Sequence, residues 1–158
     1  MNLRIALLAA FAAVMPLVSA AATPIPTSFE STGDDRKAIE ALLKTYTTAV
    51  STKNEKLFES ILLNKDIAFS YAPKAIAANG ARGGTQHYEN FRKGVFEGPP
   101  FTQRFQDVHI SQDGPLANVS LVFVNTTAQG SSWGWKTLQL LKVAGQWKIA
   151  SEFYTAGH

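Results

Sequence analysis

From Asp34 the stretch DDRKAIEALLKTYTTAVSTKN sets Ile39, Leu42, Leu43, Tyr46 and Val50 three or four residues apart, along one stripe of a helix. Asp34 and Asp35 fall in its first turn, where negative charge suits the helix dipole. NEKLFESILL resumes the helical period with Leu57, Phe58, Ile61 and Leu62, so a second, short helix follows. The period then changes to two: DIAFSYAP alternates Ile67, Phe69 and Tyr71 and stops at Pro73, as a strand does. GGTQHYENFRKGVF reads as a third short helix. From Phe101 the alternation is sustained through FTQRFQDVHIS, LANVSLVFVNTTA, SWGWKTLQLLKV and QWKIASEFYTA, with Asp113-Gly114, Gln129-Gly130 and Ala144-Gly145 between them. A glycine second in a two-residue loop is the hairpin signal, so these segments form antiparallel strands. Helices followed by such a run predict an α+β domain with the helices on one face of the sheet.

If all three glycine turns are two-residue loops, the register follows, and directly opposed residues share a face. Lys142 then opposes Trp147, Leu140 opposes Ile149, Leu138 opposes Ser151 and Lys136 opposes Phe153. Phe123 falls beside Lys136, Asn125 beside Gly134, and Arg104 beside Phe123. One face is thus apolar at one end, through Val108, Ile110, Val119 and Leu121. Towards the other end it gathers Arg104, Gln106, Asn125, Lys136 and Ser151 among Phe123 and Phe153. Apolar walls with a few convergent polar groups are the composition of a ligand pocket. Cations among aromatic rings suit an anionic or aromatic small molecule. The plainer alternative is that these residues are solvated strand ends. The opposite face carries Phe101, Phe105, Asp107, His109, Val122, Val124, Trp133, Trp135, Thr137, Gln139, Glu152 and Tyr154. So many aromatic residues on an outer surface suit an interface, and a homodimer through this face is expected.

What precedes Asp34 is not part of this pattern. MNLRIALLAAFAAVMPLVSAAA has a basic Arg4, an apolar run from Ile5 to Val18, and small residues at Ala20 and Ala22, the order of a secretory signal. The run is short for a membrane span. Residues 1–22 are therefore read as a signal peptide cut after Ala20 or Ala22, residues 23–33 as a flexible leader rich in Pro, Ser and Thr, and residues 34–158 as one domain. The expected location is periplasmic or secreted, with no membrane association after cleavage. The absence of cysteine from the 158 residues rules out disulfides, thiol nucleophiles and thiolate metal sites. The net charge of +3 is dispersed, so no nucleic-acid stripe is present.

The histidines, His87, His109 and His158, have no partners at metal-ligand spacing, so neither a metal nor a cofactor is implied. No nucleophile elbow occurs, and GARGG lacks the context of a phosphate loop. Tyr71, His87 and Arg104 remain as catalytic candidates, while Glu152 falls on the outer face in this register.

The order of elements, with Thr137 and the later Gly145, Trp147, Lys148 and Ile149 of the last hairpin, resembles the nuclear transport factor 2-like (SnoaL-like) superfamily. The resemblance implies a cone-shaped curved antiparallel sheet wrapped on N-terminal helices, a pocket at the mouth of the cone, and frequent dimerisation. It also implies a catalytic acid or base at positions where this chain departs from the family. Tyr71 and Ala72 stand before Pro73 in place of an acidic residue, and Ser151 and Phe153 stand where a histidine is common. The expectation is an exported NTF2-like domain that binds a small anionic or aromatic molecule in its pocket. The alternatives are an isomerase, dehydratase or cyclase using general acid-base catalysis, and a non-catalytic dimeric interaction module.

Overall fold

The computed structural model describes residues 28–78 and 85–157. Residues 1–22, read above as a signal peptide, and residues 23–27 of the leader therefore lie outside the described residues, as does His158. Helices α1 (Gly33–Ser51) and α2 (Glu55–Glu59) lead into strand β1 (Ala68–Tyr71). Helices α3 (Ala72–Ala77) and α4 (Tyr88–Arg92) follow, and α4 runs directly into a π-helical turn, Lys93–Glu97. Strands β2 (Thr102–Asp113), β3 (Leu116–Thr127), β4 (Gly130–Val143) and β5 (Gln146–Tyr154) complete the chain. Pro73 opens α3 rather than simply ending β1, consistent with proline's tolerance in a first helical turn.

The sheet runs β1-β5-β4-β3-β2, and its inner face is wrapped on the helices. It is mixed rather than wholly antiparallel, because β1 adds to β5 in parallel. The stripe Ile39, Leu42, Leu43, Tyr46 and Val50 is buried against Ile110, Val119, Leu121, Leu138, Leu140 and Ile149. At the β4–β5 turn, Asp35 ties α1 to the sheet. It accepts from Lys142 Nζ at 2.6 Å, Gln112 Nε2 at 2.8 Å and Trp147 Nε1 at 3.0 Å. The Lys142 hydrogen bond first, then those from Gln112 and Trp147, holds this carboxyl below its usual range. The last leader residues are also fixed: Ser31 N–H donates to Ile110 O at 3.0 Å, and Glu30 pairs with Ser111. This covers part of the β2 edge, which would otherwise present unpaired backbone groups.

The hairpin register departs from the glycine-turn expectation in two ways. The β2–β3 and β3–β4 loops are Gly114-Pro115 and Ala128-Gln129, so Asp113 pairs with Leu116 and Thr127 with Gly130. Each slip changes the partner by two residues and leaves the faces as expected; Phe123 now pairs with Gly134 and Lys136 with Leu121. Two bulges matter more. Between Gln106 and His109 the register shifts by one, with Asp107 in the left-handed region at φ 51°. Between the Leu140–Ile149 and Gln139–Ser151 pairs it shifts again, leaving Ala150 as the extra residue. A one-residue shift exchanges the faces of everything beyond it. Arg104, Gln106, Ser151 and Phe153 therefore lie on the outer face, while Phe101, Phe105, Glu152 and Tyr154 belong to the inner one.

Candidate functional site

The two bulges deliver an unusual set of side chains to the inner face. Lys136 on β4 and Glu152 on β5 are 2% and 0% exposed and meet at 2.7 Å between Nζ and Oε1. Tyr46 of α1, also fully buried, completes the cluster: Lys136 Nζ donates to its hydroxyl at 2.7 Å. That hydroxyl lies 2.9 Å and 3.1 Å from the two Glu152 carboxylate oxygens and donates to the carboxylate. The ammonium also lies near four rings, 4.4 Å from the Tyr46 centroid, 5.0 Å from Phe123, 5.6 Å from Phe105 and 5.8 Å from Tyr154. Ring faces supply partial negative charge and soften the desolvation of the cation.

Burial lowers the affinity of Lys136 for its proton, and the attraction of Glu152 opposes that effect. Tyr46 is pushed well above the ordinary tyrosine value, first by burial and then by the charge of Glu152. Tyr154 is pushed up to about 12 by burial, by Glu152 and by Tyr71. Both phenols thus stay protonated through the neutral range.

Above this cluster lies a cavity of about 250 Å³ bordered by Lys136, Glu152, Phe123, Asn125, Gln103 and Tyr154 of the sheet. Its opposite wall is Asn90 and Phe91 of α4, with Gly94 and Val95 of the π-helical turn; Phe101 and Ala156 close the rim. Lys53 holds the turn in place. At φ 57° on the α1–α2 connection, it donates from Nζ to the carbonyls of Val95, Gly98 and Pro99, and its ammonium lies 4.8 Å from the Phe101 centroid. π-Helical turns inside helices are frequent beside functional sites.

Of the residues read from sequence as ligand contacts, the structure brings Phe123, Asn125 and Lys136 together at the cavity. It places Arg104, Gln106, Ser151 and Phe153 on the other side of the sheet, where Arg104 hydrogen-bonds Gln106 and Ser151 meets Gln139 at 3.5 Å. The expected Arg104–Lys136 cation pair does not form, because the Asp107 bulge turns Arg104 outward. The preference for an anion loses its basis with it, since the remaining cation is neutralised by Glu152. The catalytic candidates lie elsewhere as well. His87 is exposed at the start of α4, with Nδ1 2.9 Å from the Asp66 carbonyl, and the Tyr71 ring packs tilted against Tyr154, with centroids 5.6 Å apart. Neither borders the cavity. Sequence reasoning missed Glu152, Tyr46, Gln103 and Tyr154 as site residues. Among the described residues no group of three or more His, Asp and Glu is placed to hold a metal ion, and no helix is long and apolar enough to cross a membrane.

Solved structures place this architecture. A protein of unknown function from Pseudomonas putida described as NTF2-like superposes with TM-score 0.62 at 13% identity, over 78% of this chain and 87% of its own. The chain has the NTF2-like fold. The same NTF2-like arrangement is met in a Mycobacterium tuberculosis protein of unknown function, with TM-score 0.62, 20% identity, and 78% and 77% of the two chains covered. A candidate scytalone dehydratase from Novosphingobium aromaticivorans gives TM-score 0.61, 17% identity, and 78% and 85% coverage. Identities this low carry the NTF2-like fold and no activity. No family model and no curated protein sequence matches the chain.

Proposed function

We propose that this NTF2-like domain binds a small, neutral, aromatic molecule in the inner cavity and acts on it through Lys136, Glu152 and Tyr46. The observation that carries the reading is the buried Lys136–Glu152–Tyr46 cluster bordering an aromatic-walled cavity. Buried ion pairs contribute little to stability over a packed apolar core, so one placed beside a cavity points to chemistry. The volume, about 250 Å³, falls just under the ~300–1,000 Å³ usual for drug-sized ligands and suits one or two rings. Two of the three Lys136 N–H bonds are taken by Glu152 and Tyr46; the third can meet a ligand oxygen. Placed there, the ammonium stabilises negative charge developing on a carbonyl oxygen, as general acid-base isomerases and dehydratases require. The similarity to a candidate dehydratase agrees with this reading by analogy of fold. Calorimetric titration with neutral one- and two-ring aromatics tests it. The native protein is expected to bind members of the set, and Val95→Trp, which fills the cavity, to bind none. Equal binding by both would move the site elsewhere.

Export to the periplasm or outside the cell remains part of the proposal, supported by the order of Arg4, Ile5 to Val18 and Ala22. So does self-association through the outer sheet face. Trp133, Trp135 and Phe153 are 48%, 51% and 40% exposed there, beside Val122 and Val124. Aromatic residues are enriched in interface cores, and a second copy would bury them. Trp135→Glu is then expected to weaken association by ~2 kcal/mol or more. Sedimentation of native and variant protein checks this; a monomeric native protein would overturn it.

A further inference from the structure

Among the described residues, one buried side-chain polar atom has no hydrogen-bond partner, and it belongs to a residue of the cavity wall. Gln103 reaches the inner face only because the Asp107 bulge turns β2 over, and its backbone N–H is fixed by Ser51 Oγ at 2.9 Å. Its side-chain Nε2 donates to Asn125 Oδ1 at 2.7 Å across the β2–β3 pair. Gln103 Oε1 is buried and has no hydrogen-bond partner among the described residues. Buried acceptors in proteins are nearly always satisfied, and a site built around an unpaired acceptor selects a ligand that can satisfy it.

No other buried side-chain acceptor at the cavity lacks a partner among the described residues. Glu152 already accepts from both Lys136 and Tyr46, and Asn125 Oδ1 already accepts from Gln103. Lys136 offers only donors. Gln103 thus brings an unpaired acceptor to the border of a cavity whose floor carries the Lys136 donor. Building on the cavity-binding reading, we infer that the ligand carries a hydroxyl or N–H group that donates to Gln103 Oε1, and that Gln103 is a specificity-determining residue. The Gln103–Asn125 bond fixes the direction of that acceptor.

Indole and benzofuran test this, because they share a shape and differ in whether the five-membered ring carries an N–H donor. Native protein is expected to bind indole at least tenfold more tightly than benzofuran, and Gln103→Met to reduce the difference to less than threefold while still binding benzofuran. In native protein the side-chain amide resonance of Gln103 is expected to shift on adding indole and to stay in place on adding benzofuran. This second readout needs no variant and holds even if Gln103→Met folds poorly. Equal native affinities for the two rings, or a preference for indole that survives in folded Gln103→Met, would overturn the inference and leave cavity binding intact. If neither ring binds native protein and no other neutral aromatic does, both readings fall.

Discussion

Lys136→Met, with Glu152 left in place, is expected to destabilise the protein by about 3–5 kcal/mol, because it strands a carboxylate that is fully buried. Glu152→Gln removes the opposite charge and strands the ammonium, with a loss of similar size. The double variant is expected to recover much of either loss. Met fills the space of the lysine stem among Tyr46, Phe105 and Phe123, and the amide introduced by Glu152→Gln can still accept from Tyr46. Urea denaturation of native, single and double variants closes the cycle and reads the coupling directly. Single variants costing under ~1 kcal/mol would mean that water reaches the pair and that the site is not desolvated.

A second large effect is expected at Gly134. This residue pairs with Phe123, and a Cβ built on it would lie 2.1 Å from the backbone oxygen of Thr155. The same Cβ would lie 2.8 and 2.9 Å from two atoms of the Phe123 ring. The first contact is with backbone, so no change of rotamer relieves it. The chain after β5, held by Thr155 N–H donating to Trp135 O at 2.8 Å, must move. Overpacking of this kind costs about 1–3 kcal/mol, and the upper end is expected for Gly134→Ala because main chain is involved. Phe123 walls the cavity, so the variant is also expected to lose aromatic binding. Thermal unfolding and titration together check this; a variant with native stability and affinity would show that the β4–β5 end is looser than described.

The architecture was legible because both periods are strong: the α1 stripe became core, and the four long strands stand where alternation puts them. The site was only half legible. Hairpin turns set faces correctly near each loop, as Lys142–Trp147 and Leu140–Ile149 show, but alternation cannot count an extra residue within a strand. Ala150 and Asp107 each hide one, so Ser151 and Arg104 took the places that belong to Glu152 and Gln103. One clue was present. A lysine on an apolar face demands a counter-charge, and the two strands flanking β4 contain a single carboxylate between them, Glu152. Pairing Lys136 with it would have required the β5 bulge. Nothing comparable marks Asp107, although an aspartate tolerates the left-handed conformation better than most residues. Tyr46 falls on the core stripe of α1, and its hydroxyl's partners come from strands that follow it by 90 and 106 residues.

The central claim is that the inner cavity over Lys136 and Glu152, rather than the aromatic outer face, receives the small molecule. Solution NMR of the native protein titrated with neutral aromatics tests it most directly, because each face carries its own reporters. The methyl groups of Val95 and Ala156 border the cavity, whereas the indole N–H groups of Trp133 and Trp135 belong to the outer face. Saturable shifts of Val95 and Ala156, with both indole signals unmoved, are the expected result. Shifts confined to Trp133 and Trp135 would contradict the account.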